Sequence, residues 1–352
     1  MKRQRIRDMG YIPGDMETGK HNAITDVEGV GVGHVTVIEG NDIRTGVTAI
    51  TPHSGNLYED PVPAAVDILN GFGKTVGLSQ VLFEGRIESP IMLTETLNTY
   101  RVADVVIDYY VDIMGYKPRS LNALVGETNG GYLTDNFARS ISREHVYEAI
   151  ERARKGSGRP GEGSVGAGTP MSGYGFKGGI GTSSRKVGAA TVGVLVQLNC
   201  GRKEDLTILG APIGKKVELP SEPEKSPGNS IMMIVATDID IETRLLWKLA
   251  KRTTLGLART GTYSSNGSGD YAISFTTKGV SRDDYLESME MGDPRDDGFL
   301  SPLYKGVVES TEEAIINALF MAETMTGYRG NTRYALPIDQ TLRVMDRFHG
   351  EE

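Results

Sequence analysis

Two apolar runs, residues 187–198 and 230–237, constrain the fold more than any other feature of the sequence. Each is about one strand long, almost without charge and free of internal proline, the pattern of a strand buried on both faces. Covering both faces of such strands requires further layers on either side. Apolar residues at helical spacing in residues 100–114, 142–154, 241–257 and 311–325 supply them. Strands and helices of this kind occur on both sides of the polar stretch 209–229, which reads as an exposed linker, so one layered α/β domain over residues 1–352 is expected.

The remaining segments fill in around these. Residues 24–37 alternate with period two, and 41–50 continue strand-like into Thr51-Pro52-His53. Residues 121–127 and 272–276 read as strands, 63–69 as a short helical or buried segment, and 90–97 as apolar at helical spacing. Gly115 is placed to cap helix 100–114 and Ser142 to open the next, while Leu245, Leu246, Leu249, Ala250 and Leu255 form the apolar side of 241–257. Glycine accounts for 45 of 352 residues, about 13% against a usual ~7%, and is clustered rather than periodic. Close approach of backbone to another element or a ligand explains such clusters. Gly29-Val30-Gly31-Val32-Gly33-His34 resembles a phosphate loop only superficially, because no helical pattern follows it.

A formal charge of −8 speaks against nucleic acid as a partner. The basic cluster Lys2-Arg3-Gln4-Arg5 with Arg7 reads as a solvated tail. Cys200 is the sole cysteine, which excludes an internal disulfide and any multi-cysteine metal site. With no signal-peptide pattern and no membrane-length apolar run, a soluble cytoplasmic protein without a membrane partner is expected.

The chemistry concentrates where the second apolar run begins, at Pro227-Gly228-Asn229-Ser230-Ile231. A serine there can attack the preceding Asn229 carbonyl, break the chain and become a new N-terminus. The freed α-amine, with an ordinary pKa of roughly 7.7–8.0, can then act as base for its own hydroxyl. A histidine-based triad is poorly supported: His21, His34, His53, His145 and His349 lie away from any serine elbow, and Gly156-Ser157-Gly158 occupies a polar loop with no strand before it. Asn199, at a strand end, could point an amide N–H at an oxyanion or simply satisfy a turn. Ser268 and Asp270 could hydrogen-bond a new ammonium or belong to a hairpin. Glu127 and Tyr132 could receive a cationic amine, or Glu127 could be a surface charge.

The segments 24–34, 70–74, 125–129, 166–169, 176–182 and 228–231 together resemble, in order, the peptidase family of L-aminopeptidase D-Ala-esterase/amidase and the β-peptidyl aminopeptidases. The resemblance implies an αββα sandwich akin to N-terminal-nucleophile hydrolases, with different strand connections. It implies self-cleavage into 1–229 and 230–352, with Ser230 as nucleophile and Asn199 as oxyanion donor. Ser268 and Asp270 match the serine and acidic residue beside the new amine; some relatives carry glutamate where Asp270 stands. Glu127 matches the residue holding the substrate's free N-terminus, and Tyr132 a tyrosine at the site's edge. The implied activity is release of N-terminal residues from short peptides, or hydrolysis of amino-acid amides and esters, without cofactor or metal, in a homotetramer of processed units. Two alternatives remain at this point: an acyltransferase of the ornithine acetyltransferase type, and a non-catalytic small-molecule-binding protein.

Overall fold

Glycines at alternate positions let a helix lie directly on the first strand. Gly31 and Gly33 share one face of β1 (Gly31–Glu39), against helix α3 (Arg143–Lys155). A Cβ on Gly31 would stand 1.9 Å from the Ala153 carbonyl oxygen, and one on Gly33 2.1 Å from that of Ala149. Side chains there would force the helix off the sheet, so packing accounts for these glycines. Val30 and Val32 belong to the core between the sheets.

The computed structural model describes residues 3–221, 230–291 and 297–350. Among them, β1 pairs antiparallel with β2 (Ile43–Thr51), β2 with β5 (Ile91–Glu95), and β5 runs parallel to β6 (Leu124–Thr128). The second sheet has the order β4 (Arg86–Ile87), β3 (Val62–Gly71), β12 (Gly269–Val280), β11 (Ser230–Ile239), β10 (Ala190–Asn199), β9 (Gly179–Val187). Its β11–β12 pair is parallel; its other pairs are antiparallel. A small hairpin, β7 (Ser172–Gly173) and β8 (Phe176–Lys177), precedes β9, and another, β13 (Met325–Thr326) and β14 (Thr332–Arg333), lies near the C-terminus.

Helix α1 (Leu78–Glu84) follows β3, and α2 (Thr99–Asp112) packs with α3 on the outer face of the first sheet. Helix α4 (Ile213–Lys216) comes between β10 and β11. Helices α5 (Thr243–Ala250) and α8 (Leu300–Met321) cover the second sheet, α6 (Thr253–Arg259) packs on α8, α7 (Arg282–Ser288) lies between α6 and α8 in the sequence, and α9 (Ile338–Gly350) comes at the end. The result is the αββα sandwich. One apolar core lies between the sheets and one beneath each helical layer.

Several expectations are corrected. Residues 63–69 are part of strand β3, and 90–97 contain β5 running into a single 3-10 turn (Thr96–Asn98) rather than an α-helix. β5 is buried throughout, whereas β3 is buried mainly over its first half and leaves Ile68 and Leu69 exposed; neither run carries a usable period, and pairing with neighbouring strands decided both. Residues 241–257 form two helices, α5 and α6, with the Thr253 hydroxyl donating to the Ala250 carbonyl at the break. Leu255 is 53% exposed and lies off the apolar side. Helix 100–114 is capped at Ile113, not Gly115. Strand β9 was not anticipated, and α9 follows the helix expected to be last.

The linker expectation fails over its first half, where Ala211, Ile213 and Val217 are buried in the core; residues 222–229 lie outside the described residues. The basic N-terminus is not a free tail. Arg5 is 3% exposed and paired with Glu162, and Arg7 donates to Glu313 at 2.7 Å. Buried Arg185 meets Glu309 at 2.9 Å and Glu313 at 2.7 Å. The acids buried along α8 require cations, and Arg7 joins Arg185 in supplying them, while Arg5 answers the buried Glu162.

Candidate active site

The register of three strands assembles the centre of the site. Asn199, the last residue of β10, is the cross-strand partner of Ser230, the first of β11, and Ser230 in turn pairs with Gly269 at the start of β12. Three strand ends therefore meet at one end of the six-stranded sheet, in its interior. Ser230 is 7% exposed, and its Oγ accepts a hydrogen bond from the Gly269 N–H at 3.1 Å. Asn229, expected on the other side of the scissile bond, lies outside the described residues.

Asn199 is held from two directions. Its Oδ1 accepts from the Ser172 N–H at 2.8 Å, and its Nδ2 donates to the Asn129 carbonyl at 3.0 Å. That contact uses one of the two amide hydrogens. The Ser172 strand is itself pinned: the fully buried Lys177, opposite Ser172 in the hairpin, donates from Nζ to the carbonyls of Gly168 and Gly178 at 3.0 and 2.8 Å. Burial pushes the Lys177 ammonium down to about 7.

Ser268 and Asp270 flank Gly269. The Ser268 hydroxyl donates to one Asp270 carboxylate oxygen, and Asn70 Nδ2 to the other at 3.3 Å. Burial raises the Asp270 carboxyl above its usual range, against hydrogen bonds from Ser268, Ser264, Asn70 and the Ile231 backbone. Because Ile231 follows Ser230, this last contact places the carboxylate beside the Ser230 peptide unit.

Glu127 approaches from the other sheet. The preceding Gly126 faces Met232 so closely that a Cβ would stand 2.9 Å from its sulfur, which brings the end of β6 against β11. Glu127 is 3% exposed and accepts from the Lys74 N–H at 2.8 Å. The segment Asn70 to Lys74 thus spans the site, since its Phe72 N–H also donates to the Ser268 carbonyl at 3.1 Å. One strand away, buried Glu95 accepts from Leu97 N–H and Asn98 Nδ2. Burial, with a further contribution from the Glu127 charge, pushes the Glu95 carboxyl up to about 8, so it is protonated at neutral pH.

Tyr132 joins at one remove. Its ring lies 3.7 Å under the Arg333 guanidinium carbon, and Arg333 Nε donates to Ser172 Oγ at 3.0 Å. Asn129, Ser172, Asn70, Lys74 and Glu95 were missed as individual site residues. Asn70 and Lys74 did lie in a glycine-rich segment that invited attention, and Asn129 lies two residues beyond Glu127. Glu95 and Ser172 carry no local signal. The histidines serve elsewhere: His145 Nδ1 accepts from Ser142 N–H at the start of α3, and His34 Nδ1 meets Thr48 Oγ1 at 2.9 Å. Among the described residues, no three His, Cys, Asp or Glu side chains gather as metal ligands would.

A serine that opens an interior strand of an αββα sandwich, with no histidine at its hydroxyl among the described residues, defines a hydrolase of the N-terminal-nucleophile class. The family model for peptidase family S58 matches residues 22–333. The chain is 38% identical over 378 residues to the beta-peptidyl aminopeptidase BapA of Sphingosinicella xenopeptidilytica, covering 97% of this chain and 90% of that protein. The beta-aminopeptidase of Burkholderia sp. superposes with a TM-score of 0.87 at 34% identity, covering 98% of this chain and 99% of that one. The L-aminopeptidase D-Ala-esterase/amidase of Ochrobactrum anthropi, described as a prototype serine aminopeptidase with a variant of the Ntn hydrolase fold, gives 0.82 at 33% identity, with 98% and 99% covered. The chain belongs to peptidase family S58 and is a self-processing serine aminopeptidase of the N-terminal-nucleophile class. That membership sets aside the non-catalytic binding protein.

Proposed function

We propose that the chain cuts itself between Asn229 and Ser230, and that the mature enzyme uses Ser230 both as nucleophile and, through its freed α-amine, as base. In maturation, Ser230 Oγ attacks the Asn229 carbonyl carbon. The C–N bond breaks as the acyl group moves to oxygen, and water hydrolyses the resulting ester. Asn229 then ends one chain as a carboxylate and Ser230 begins the other as an amine. In turnover, this amine takes the Oγ proton as the substrate carbonyl is attacked and returns it to the leaving amine.

The register that brings Asn199, Ser230 and Gly269 together carries this reading. The second amide hydrogen of Asn199 serves the oxyanion. Asp270, oriented by Ser268 and Asn70, stabilises the ammonium of Ser230. Glu127 receives the substrate's free ammonium, which restricts action to unblocked N-termini, and Tyr132 borders the site. Substrates are short peptides or amino-acid amides and esters, with β-peptidyl bonds favoured because the similar proteins bear that activity in their names. We place the enzyme in the cytoplasm as a homotetramer of processed units. N-terminal sequencing of active protein tests the core of this reading: a second sequence beginning Ser-Ile-Met-Met-Ile is expected, and an intact active chain overturns it. Hydrolysis exceeding acyl transfer to added ornithine is also expected; the reverse would make it a transferase.

A further inference from the structure

The cation nearest the expected amine subsite belongs to the protein. Lys74 offers its backbone N–H to Glu127 Oε1 at 2.8 Å, and its own Nζ stands 4.0 Å from the same oxygen. The side chain is 41% exposed, and its ammonium lies 5.4 Å from the centre of the Phe72 ring. Phe72 is itself 69% exposed. One fixed anion and one adjustable cation therefore stand side by side.

This pairing has consequences for a substrate held as proposed above, on which the present inference rests. An ammonium bound at Glu127 without other charge must share that carboxylate with Lys74, and the like charges oppose one another. A substrate carrying a carboxylate on the amine-bearing carbon presents ammonium to Glu127 and carboxylate to Lys74 together. Glu95, the neighbouring buried acid, is protonated at neutral pH and adds no second negative charge. The three groups thus sum to zero, as does the zwitterion.

The geometry points to Lys74 as a specificity-determining residue that, with Glu127, selects acyl groups bearing a carboxylate beside the free amine. The N-terminal isoaspartyl residue is the simplest acyl group of this class. Its amide is formed through the side-chain carbonyl, so it is a β-amino acyl group with a carboxylate on the carbon that carries the amine. It combines a β-peptide bond with the zwitterion that the Lys74–Glu127 pair fits. Hydrolysis would release free aspartate and the remaining peptide, with water as the sole co-reactant.

The test compares β-aspartyl-alanine with β-alanyl-alanine, which has the same backbone and lacks the carboxylate. The processed wild-type enzyme should favour the β-aspartyl substrate in kcat/KM by about ten-fold, the scale of one charge pair formed at a partly desolvated site. Lys74→Met should reverse that preference, while Lys74→Arg should keep it. Appearance of two chains on a denaturing gel shows that each variant has folded and matured. A wild-type preference for β-alanyl-alanine, or a ratio that Lys74→Met leaves unchanged, overturns the inference. Glu127→Gln separates this failure from a deeper one. If it raises KM for both substrates while Lys74→Met has no effect, only the role of Lys74 falls; if it alters neither KM, the anchoring role of Glu127 falls as well.

Discussion

Asn199 and Ser230 are direct cross-strand partners at the ends of the antiparallel β10–β11 pair. The side-chain amide is thereby fixed beside the hydroxyl by the sheet itself, and the Ser172 N–H and Asn129 carbonyl set its rotation. Replacing Asn199 by Ala should lower kcat about 10²- to 10³-fold with a small change in KM, the usual result of losing one oxyanion donor. Steady-state kinetics on a dipeptide amide measure this. An effect confined to KM would place Asn199 in substrate binding.

Ser230→Ala removes the group proposed for both chain cleavage and turnover. The variant should run as a single uncut chain and show no hydrolysis above background. Retained hydrolysis in that protein would transfer the nucleophile's role to another residue.

Glu127 is buried and bonded to the Lys74 backbone, so Glu127→Gln keeps the side chain's shape while removing its capacity for negative charge. KM for free-amine substrates should rise at least about ten-fold, as expected when a charge-assisted contact is lost. N-acetylated substrates should be poor for both proteins. Equal effects of the mutation on free and acetylated substrates would contradict the anchoring role.

Glu95 gives a pH signature in stability. Unfolded, it loses its proton near 4.5; folded, burial keeps the proton on until about 8. Between those values the native state binds the extra proton, so this group's contribution is full at low pH and is lost as pH rises through about 8. Glu95→Gln cannot ionise. The melting temperature of the wild type relative to the variant should therefore fall steadily from about pH 5 to about pH 8. A constant difference would mean that Glu95 titrates normally.

Gly33 tests the packing account of the first glycine cluster. A methyl group there would overlap the Ala149 carbonyl of α3. Gly33→Ala should destabilise the protein by about 1–3 kcal/mol, typical of overpacking, as read from denaturant unfolding of the processed enzyme. Unchanged stability would show that α3 can move away at little cost.

The strands that build the site were legible because their character is local. β10 and β11 are apolar along nearly their whole length, and Ser230 stands where such a run begins after Gly228 and Asn229. Asn199, Ser268 and Asp270 were legible as polar residues bordering strands. Glu127 and Tyr132 were legible as a carboxylate and a phenol after a strand, and the resemblance over nearly the whole chain gave them their particular roles. The segments read wrongly took their state from distant partners: β5 is a short buried strand held between β2 and β6, β3 shows neither strict alternation nor complete burial, and Arg5 and Arg7 gain their meaning from Glu162 and, about 300 residues away in α8, Glu313.

By itself, then, the sequence determined which residues can form interior strands, where a serine stands at the start of one of them, and the family to which the chain is similar. Tertiary structure decided which strand ends meet. It set Asn199 opposite Ser230, brought Asn70 and Lys74 to Asp270 and Glu127, and raised Glu95 by burying it near another carboxylate. The physical reason is one of range. Strand character follows from the alternation and apolarity of neighbouring residues, whereas register, desolvation and charge pairing depend on groups that only folding brings within a few ångströms.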